Sequence, residues 1–132
     1  MKFCVYREVR SLNQINSLKW AASNARTKRG RYLYGRHVYG QRESWAEEME
    51  QPPFDWDKNT RKLVTLTRVM SYRQRPFDDD NLIGGMKAVR DALVDIGYLR
   101  NDDSSAAEFV YKQEKDDEGD PRLRVEIIEH PG

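Results

Sequence analysis

The strongest constraint on the fold of this chain is an apolar stripe between residues 82 and 96. Leu82, Met86, Val89, Leu93 and Ile96 step by four, three, four and three residues, the spacing of one face of an α-helix packed on a core. Its ends are marked as well. Asp79 or Asp80 is suited to cap the N-terminus, where a short carboxylate accepts from unpaired N–H groups. Gly97 stands where a left-handed C-terminal cap is wanted. A helix of about four turns, roughly 20 Å long, needs a partner layer, and strands supply it. RKLVTLTRVM sets Leu63, Thr65, Thr67 and Val69 on one face and Val64, Leu66, Arg68 and Met70 on the other, which predicts a central strand with apolar residues on both sides. Phe3 and Val5, with Val9 beyond them, predict a half-buried first strand. SSAAEFVYKQEK and PRLRVEIIEH predict two more, with Leu123, Val125 and Ile127 alternating. The polar turn DDEGDP between them predicts that these last two strands form a hairpin.

The region from 12 to 50 is less regular. SLNQINSLKWAASNARTK carries Leu18, Ala21, Ala22 and Ala25 near helical spacing, and ESWAEEME reads as a short exposed helix. The Gly-Arg-Tyr stretch between them reads as loop or hairpin. Trp20, Trp45 and Trp56 are assigned to packing. The order strand, helix, strand, helix, strand, strand predicts an α/β (α+β) domain in which a small mixed four-stranded sheet has helices packed on one face. At 132 residues the chain is read as a single domain. Cys4 is the only cysteine, and no apolar run suits a signal peptide or a membrane span. The expected location is therefore the cytoplasm, with no membrane partner.

The formal charge of +1 hides segregation. Between residues 26 and 42 stand Arg26, Lys28, Arg29, Arg31, Arg36 and Arg42, with His37 and no acid. A basic run of this kind is either a solvated loop or a contact for the DNA backbone. Tyr32, Tyr34 and Tyr39 within it suit either a core or stacking on unpaired bases.

The aspartates carry the chemistry. Asp78, Asp79 and Asp80 immediately precede the amphipathic stripe, and Asp102 and Asp103 follow its end. One or two acids at a helix start are accounted for by capping and the helix dipole. A third conflicts with its neighbours' charge unless a cation relieves the repulsion. In an extended segment Asp78 and Asp80 would project to the same side as two ligands of one ion. All-oxygen donors suit Mg2+, or Mn2+, which keeps waters and takes phosphate oxygens. That points to a phosphate ester as substrate. Asp102 and Asp103 would reach the first group only if the chain doubles back after Gly97, or if Tyr98 to Asn101 run beside the helix. Gly84 and Gly85, each unfavourable by about 1 kcal/mol in a helix, predict a close approach by DNA backbone or a partner helix.

Asp78-Asp79-Asp80-Asn81, then Asp91-Ala92-Leu93 with Gly97, then Asp102-Asp103 resemble in order the signature of the RusA family of Holliday junction resolvases. Ser11-Leu12-Asn13-Gln14 adds a weaker echo of the S-x-N that follows that family's first strand. The resemblance implies one RusA-like domain over residues 1–132, acting as a homodimeric, Mg2+-dependent endonuclease that nicks four-way DNA junctions symmetrically. By the same resemblance Asp78 and Asp80 are metal ligands, and Asp102, or else Asp103, is the third carboxylate. Lys87 matches the family's helix lysine when the helix is aligned from Asp91-Ala92-Leu93, whereas alignment from Asp80 puts Gly84 there. Asn101 stands where relatives often have another acid. The competing readings are a nuclease for flaps or other branched DNA, a branched-DNA-binding module without cleavage, and a phosphohydrolase of free nucleotides.

Overall fold

The computed structural model describes residues 1–24, 27–29 and 40–132. Its described elements are β1 (Lys2–Val5), α1 (Leu12–Asn24), α2 (Gln41–Glu48), β2 (Lys62–Met70), α3 (Asp79–Gly85), α4 (Lys87–Asp95), β3 (Ala107–Lys115) and β4 (Arg122–Glu129). The strands form one mixed sheet in the order β1-β4-β2-β3. β2 runs parallel to β3 and antiparallel to β4, and β1 is antiparallel to β4. The sheet face formed by Phe3, Val5, Val64, Leu66, Leu123, Val125 and Ile127 is buried with Leu82, Met86, Val89 and Leu93 of the helices and Trp45 of α2. This is the expected small α+β architecture, with the helical layer on one face.

Two expectations about connectivity need correcting. The last two strands do not form a hairpin: β2 lies between β3 and β4. The polar turn instead straddles the end of β2, where the Asp116 N–H donates to the Met70 carbonyl at 2.8 Å. Because β3 is parallel to β2, the two strands need a crossover, and α3 and α4 provide it. The apolar stripe is likewise divided between two helices. α3 ends and α4 begins at Met86, with φ −92° and ψ 1°. The glycines just before the break are closely packed. A side chain at Gly85 would run into the Arg10 carbonyl, and a Cβ at Gly84 would lie 2.9 Å from the Leu12 side chain. The close approach at the glycines is made by the chain's own Arg10–Leu12 segment.

That segment enters α1 through a capping box. Ser11 Oγ accepts from the Gln14 N–H at 3.1 Å, and Gln14 Oε1 accepts from the Ser11 N–H at 2.8 Å. Arg7 ties the end of β1 to α2 by donating to Ser44 and Gln41, both at 2.7 Å, with its guanidinium 4.1 Å from the Trp45 ring centre. Trp45 and Met49 are buried, so the helix expected to be exposed has an inner face. Trp56 packs at the edge of the core, whereas Trp20 is largely exposed and does not pack as expected.

Past α4, Gly97 takes the expected left-handed conformation, φ +95°. The next residue, Tyr98, is fully buried. It stacks on Phe3, donates its hydroxyl proton to the Glu50 carbonyl at 2.7 Å, and accepts from the Trp56 indole N–H at 3.0 Å through its own carbonyl. Burial pushes the Tyr98 phenol up to about 12. Lys62, at the start of β2, is equally buried, and its ammonium donates to the carbonyls of Asp57 (2.5 Å) and Thr60 (2.9 Å) beside Glu129. Together these anchors fix where the chain re-enters the sheet. Among the described residues no helix is long and apolar enough to cross a membrane.

Candidate functional site

Asp78 is the N-cap of α3, in place of the expected Asp79 or Asp80. Its Oδ1 accepts from the Asn81 N–H at 2.9 Å, the cap-to-third-residue bond that a helix start offers. The Asn81 side-chain amide lies across the same carboxylate, 3.2 Å from Oδ1 and 3.1 Å from Oδ2. The Asn81 side-chain oxygen Oδ1 in turn accepts from the Asn13 N–H at 2.9 Å. The Ser11–Gln14 stretch and the Asp78–Asn81 stretch, far apart in sequence, therefore meet through Asn81. Asp79 and Asp80 are exposed and already helical. Asp78 is extended, with ψ 167°, but the segment as a whole is not. Asp78 and Asp80 thus do not project together from a continuous extended strand, and positions i and i+2 of a helix face different ways.

Two residues that the sequence did not single out position this end of α3. Gln113, on β3, clamps the backbone of Phe77. Its Oε1 accepts from the Phe77 N–H at 2.8 Å and its Nε2 donates to the Phe77 carbonyl at 2.9 Å. Arg68, buried on β2, donates to Gln113 Oε1 at 3.0 Å and to the Arg75 carbonyl at 2.9 Å, with its guanidinium 3.5 Å from the Phe77 ring centre. Burial lowers the Arg68 pKa from its usual value. The polar interruption of an apolar strand at Arg68 was the available signal.

Asp102 and Asp103 lie at the other end of the sheet. The Asp103 carbonyl accepts from Ala107, which is paired with Lys62 at the start of β2, whereas the Phe77 clamp is at Gln113, paired with Arg68. Six residues of strand separate these positions, about 20 Å at roughly 3.3 Å per residue. After Gly97 the chain does not double back along the helices. Asp103 is instead absorbed locally: it accepts from the Ser105 hydroxyl at 2.5 Å, the Ser105 N–H at 3.0 Å and the Ala106 N–H at 3.1 Å. The Ser105 hydroxyl, followed by these N–H groups, holds its carboxyl below the usual range. Asn101 accepts from the Asp103 N–H at 3.0 Å and belongs to the same turn. Among the described residues no three His, Cys, Asp or Glu side chains are gathered as a ligand set.

Lys87 starts α4, exposed, 3.5 Å from Asp91 one turn on. Gly84, the other candidate for the lysine position, faces Leu12 and has no room for a lysine stem without displacement. Among the basic residues, Lys28 and Arg29 are exposed. Arg42 is engaged: its guanidinium forks onto Asp95, with Nε 2.5 Å from Oδ2. That pairing raises the Arg42 pKa and lowers that of Asp95. Arg42 is thus paired with an acid of its own chain while its side chain stays about half exposed. Arg26, Arg31, Arg36, His37, Tyr32, Tyr34 and Tyr39 lie outside the described residues.

The donor set at the start of α3 can be tested against a hard divalent ion. Asp79 and Asp80 offer carboxylate oxygens that accept no hydrogen bond from described residues, and Asp78 shares its oxygens with Asn81 alone. Mg2+ at a phosphate typically takes one or two carboxylates, keeps several waters and takes substrate oxygens. The residues present fit an ion held jointly by protein and substrate, and they do not fit a closed protein cage. No protein-family model and no curated protein sequence matches this chain.

Proposed function

We propose that the protein is a structure-selective, metal-dependent endodeoxyribonuclease that resolves four-way DNA junctions by paired nicks, acting as a homodimer. The observation that carries this reading is the ordered signature of Asp78-Asp79-Asp80-Asn81, Asp91-Ala92-Leu93 with Gly97, and Asp102-Asp103, resembling RusA resolvases. Its support at the site is a cap of exposed carboxylates with all-oxygen donors. By that resemblance Asp78 and Asp80 are the carboxylates that would hold Mg2+, or Mn2+, with substrate oxygens and water completing the shell because the two do not project together from one strand. When bound, such an ion lowers the pKa of a water and neutralises charge on a phosphodiester. The chain's own residues do the positioning. Asn81 orients Asp78, while Gln113 and Arg68 hold Phe77 and so fix the start of α3. Asp80 points its free carboxylate into solvent, where a phosphate approaches.

A second reading, a branched-DNA-binding module without cleavage, is favoured by one specific observation: the third carboxylate, Asp102 or Asp103, lies at the opposite end of the sheet from the first pair. The test is an immobile four-way junction against a linear duplex of the same sequence, with Mg2+ and with EDTA, for wild type and Asp80→Asn. Paired nicks on the junction alone, lost in EDTA and in the variant, are the expected result. Junction binding with no nicking in Mg2+ would establish the module instead.

A further inference from the structure

The segment between β2 and α3, residues 71–77, contains no acid and leads directly into Asp78. It is a fixed turn. The Ser71 N–H donates to Gln74 Oε1 at 3.0 Å and the Gln74 N–H to the Ser71 carbonyl at 3.1 Å. Lys115 donates to the carbonyls of Tyr72 (3.0 Å) and Gln74 (2.8 Å), and Arg68 holds the Arg75 carbonyl. Gln74 is tied in turn to Glu8 at 2.7 Å. On this rigid support Tyr72 stands 60% exposed. Arg73 donates to its hydroxyl at 2.7 Å and lies 5.3 Å from its ring centre. Arg75 is exposed, and its guanidinium makes no hydrogen bond or ion pair with described residues.

A large aromatic ring held out in water by a turn with this many fixing bonds is a ready stacking platform. Two cations, Arg73 and Arg75, follow it in the same turn, and cations beside a stacking ring suit the phosphates of a strand. The partner must be an anion with flat apolar faces, which is the chemistry of an unpaired nucleic-acid strand. We propose that the Tyr72–Arg75 turn is the strand-contact element of this protein: Tyr72 stacks on an unpaired base, while Arg73 and Arg75 take the adjoining phosphates and lead the backbone to Asp78–Asp80. The inference rests on the branched-DNA reading and names the surface that reading requires. It places the contact in a segment separate from the basic run at 26–42.

The test uses the full chain and an immobile four-way junction with 2-aminopurine at the branch, followed by anisotropy and by 2-aminopurine fluorescence across a salt series. Wild type and Tyr72→Trp are expected to bind alike and to quench the probe. Tyr72→Ala should bind about tenfold more weakly and fail to quench. Arg75→Gln should weaken binding and reduce the salt slope by about one unit. If wild type binds the junction and Tyr72→Ala and Arg75→Gln behave identically to it, the turn is not the contact, and the DNA reading stands without it. If wild type binds no DNA, both fall.

Discussion

The two carboxylate groups that flank the helical crossover look alike in sequence and differ in what the fold does with them. At one end of the sheet Asp103 is consumed by its own turn, accepting from Ser105 and Ala106 just ahead of β3. At the other end Asp78 is used by Asn81, while Asp79 and Asp80 remain without a protein donor among the described residues. A carboxylate whose lone pairs are filled by backbone N–H groups is a structural cap. One left empty at a helix start, beside another of its kind, is available to a ligand. Asp103 therefore serves structure and the 78–81 cap is the better placed for a ligand, while Asp102 is exposed and accepts no hydrogen bond from described residues.

The most damaging test of that assignment is a paired substitution. Asp80→Asn is expected to reduce junction nicking by about a hundredfold or more, the scale on which removing a group that stabilises transition-state charge acts, with junction affinity kept. Asp102→Asn is expected to leave nicking within a few fold. Loss of nicking in both variants would mean that the two ends of the sheet act on one substrate atom. That would require a second protomer or a different path for residues 98–103, and the comparison would fail.

The supports of the chemical end come next. Gly85→Ala is expected to cost about 2–3 kcal/mol in urea unfolding, because the added methyl meets the Arg10 carbonyl, a backbone atom that cannot rotate away. Gln113→Ala leaves the Phe77 N–H and part of Arg68 without an acceptor. It should cost about 1–3 kcal/mol, and it should lower nicking more than Gly97→Ala, which strains a left-handed residue by about 1–2 kcal/mol at the structural end. Equal effects of the two on nicking would show that Gln113 does not position Asp78.

How much of this was legible depended on whether the signal was local. The apolar stripe, the Gly97 cap and the central strand were readable because each is set by residues within a few positions of one another. The partner of β3 was not, because alternation of Leu123, Val125 and Ile127 marks a strand without saying which edge it joins. A short polar turn is equally compatible with a hairpin and with straddling the end of β2. The break at Met86 was hidden because the four-three repeat runs straight through it. The segment packed against the glycines just before the break is Arg10–Leu12, more than seventy residues away in sequence. The N-cap was misplaced by one residue for a smaller reason. Any of three consecutive aspartates can cap, and Asn81, bonded to both Asn13 and Asp78, selects the first. The division of the acids between two ends of the sheet follows from the parallel pairing of β2 with β3, which no local pattern specifies.

The smallest expected effect is also the most direct probe of the structural end. Ser105 and Ala106 hold the Asp103 carboxyl below the usual range by donating to its charged form. A carboxylate whose folded pKa is depressed stabilises the fold above its unfolded value, about 3.9, and loses that contribution as pH falls through the folded value. Asp103→Asn keeps an acceptor oxygen but has no charge to lose. It should therefore be less stable than wild type at neutral pH, with the gap closing once the pH drops below about 4. Urea midpoints of both proteins measured from pH 7 to pH 3 would show this convergence. A gap that stays constant over that range would mean that the Asp103 charge adds nothing to its turn, and the case for treating Asp103 as a structural cap would lose its electrostatic half.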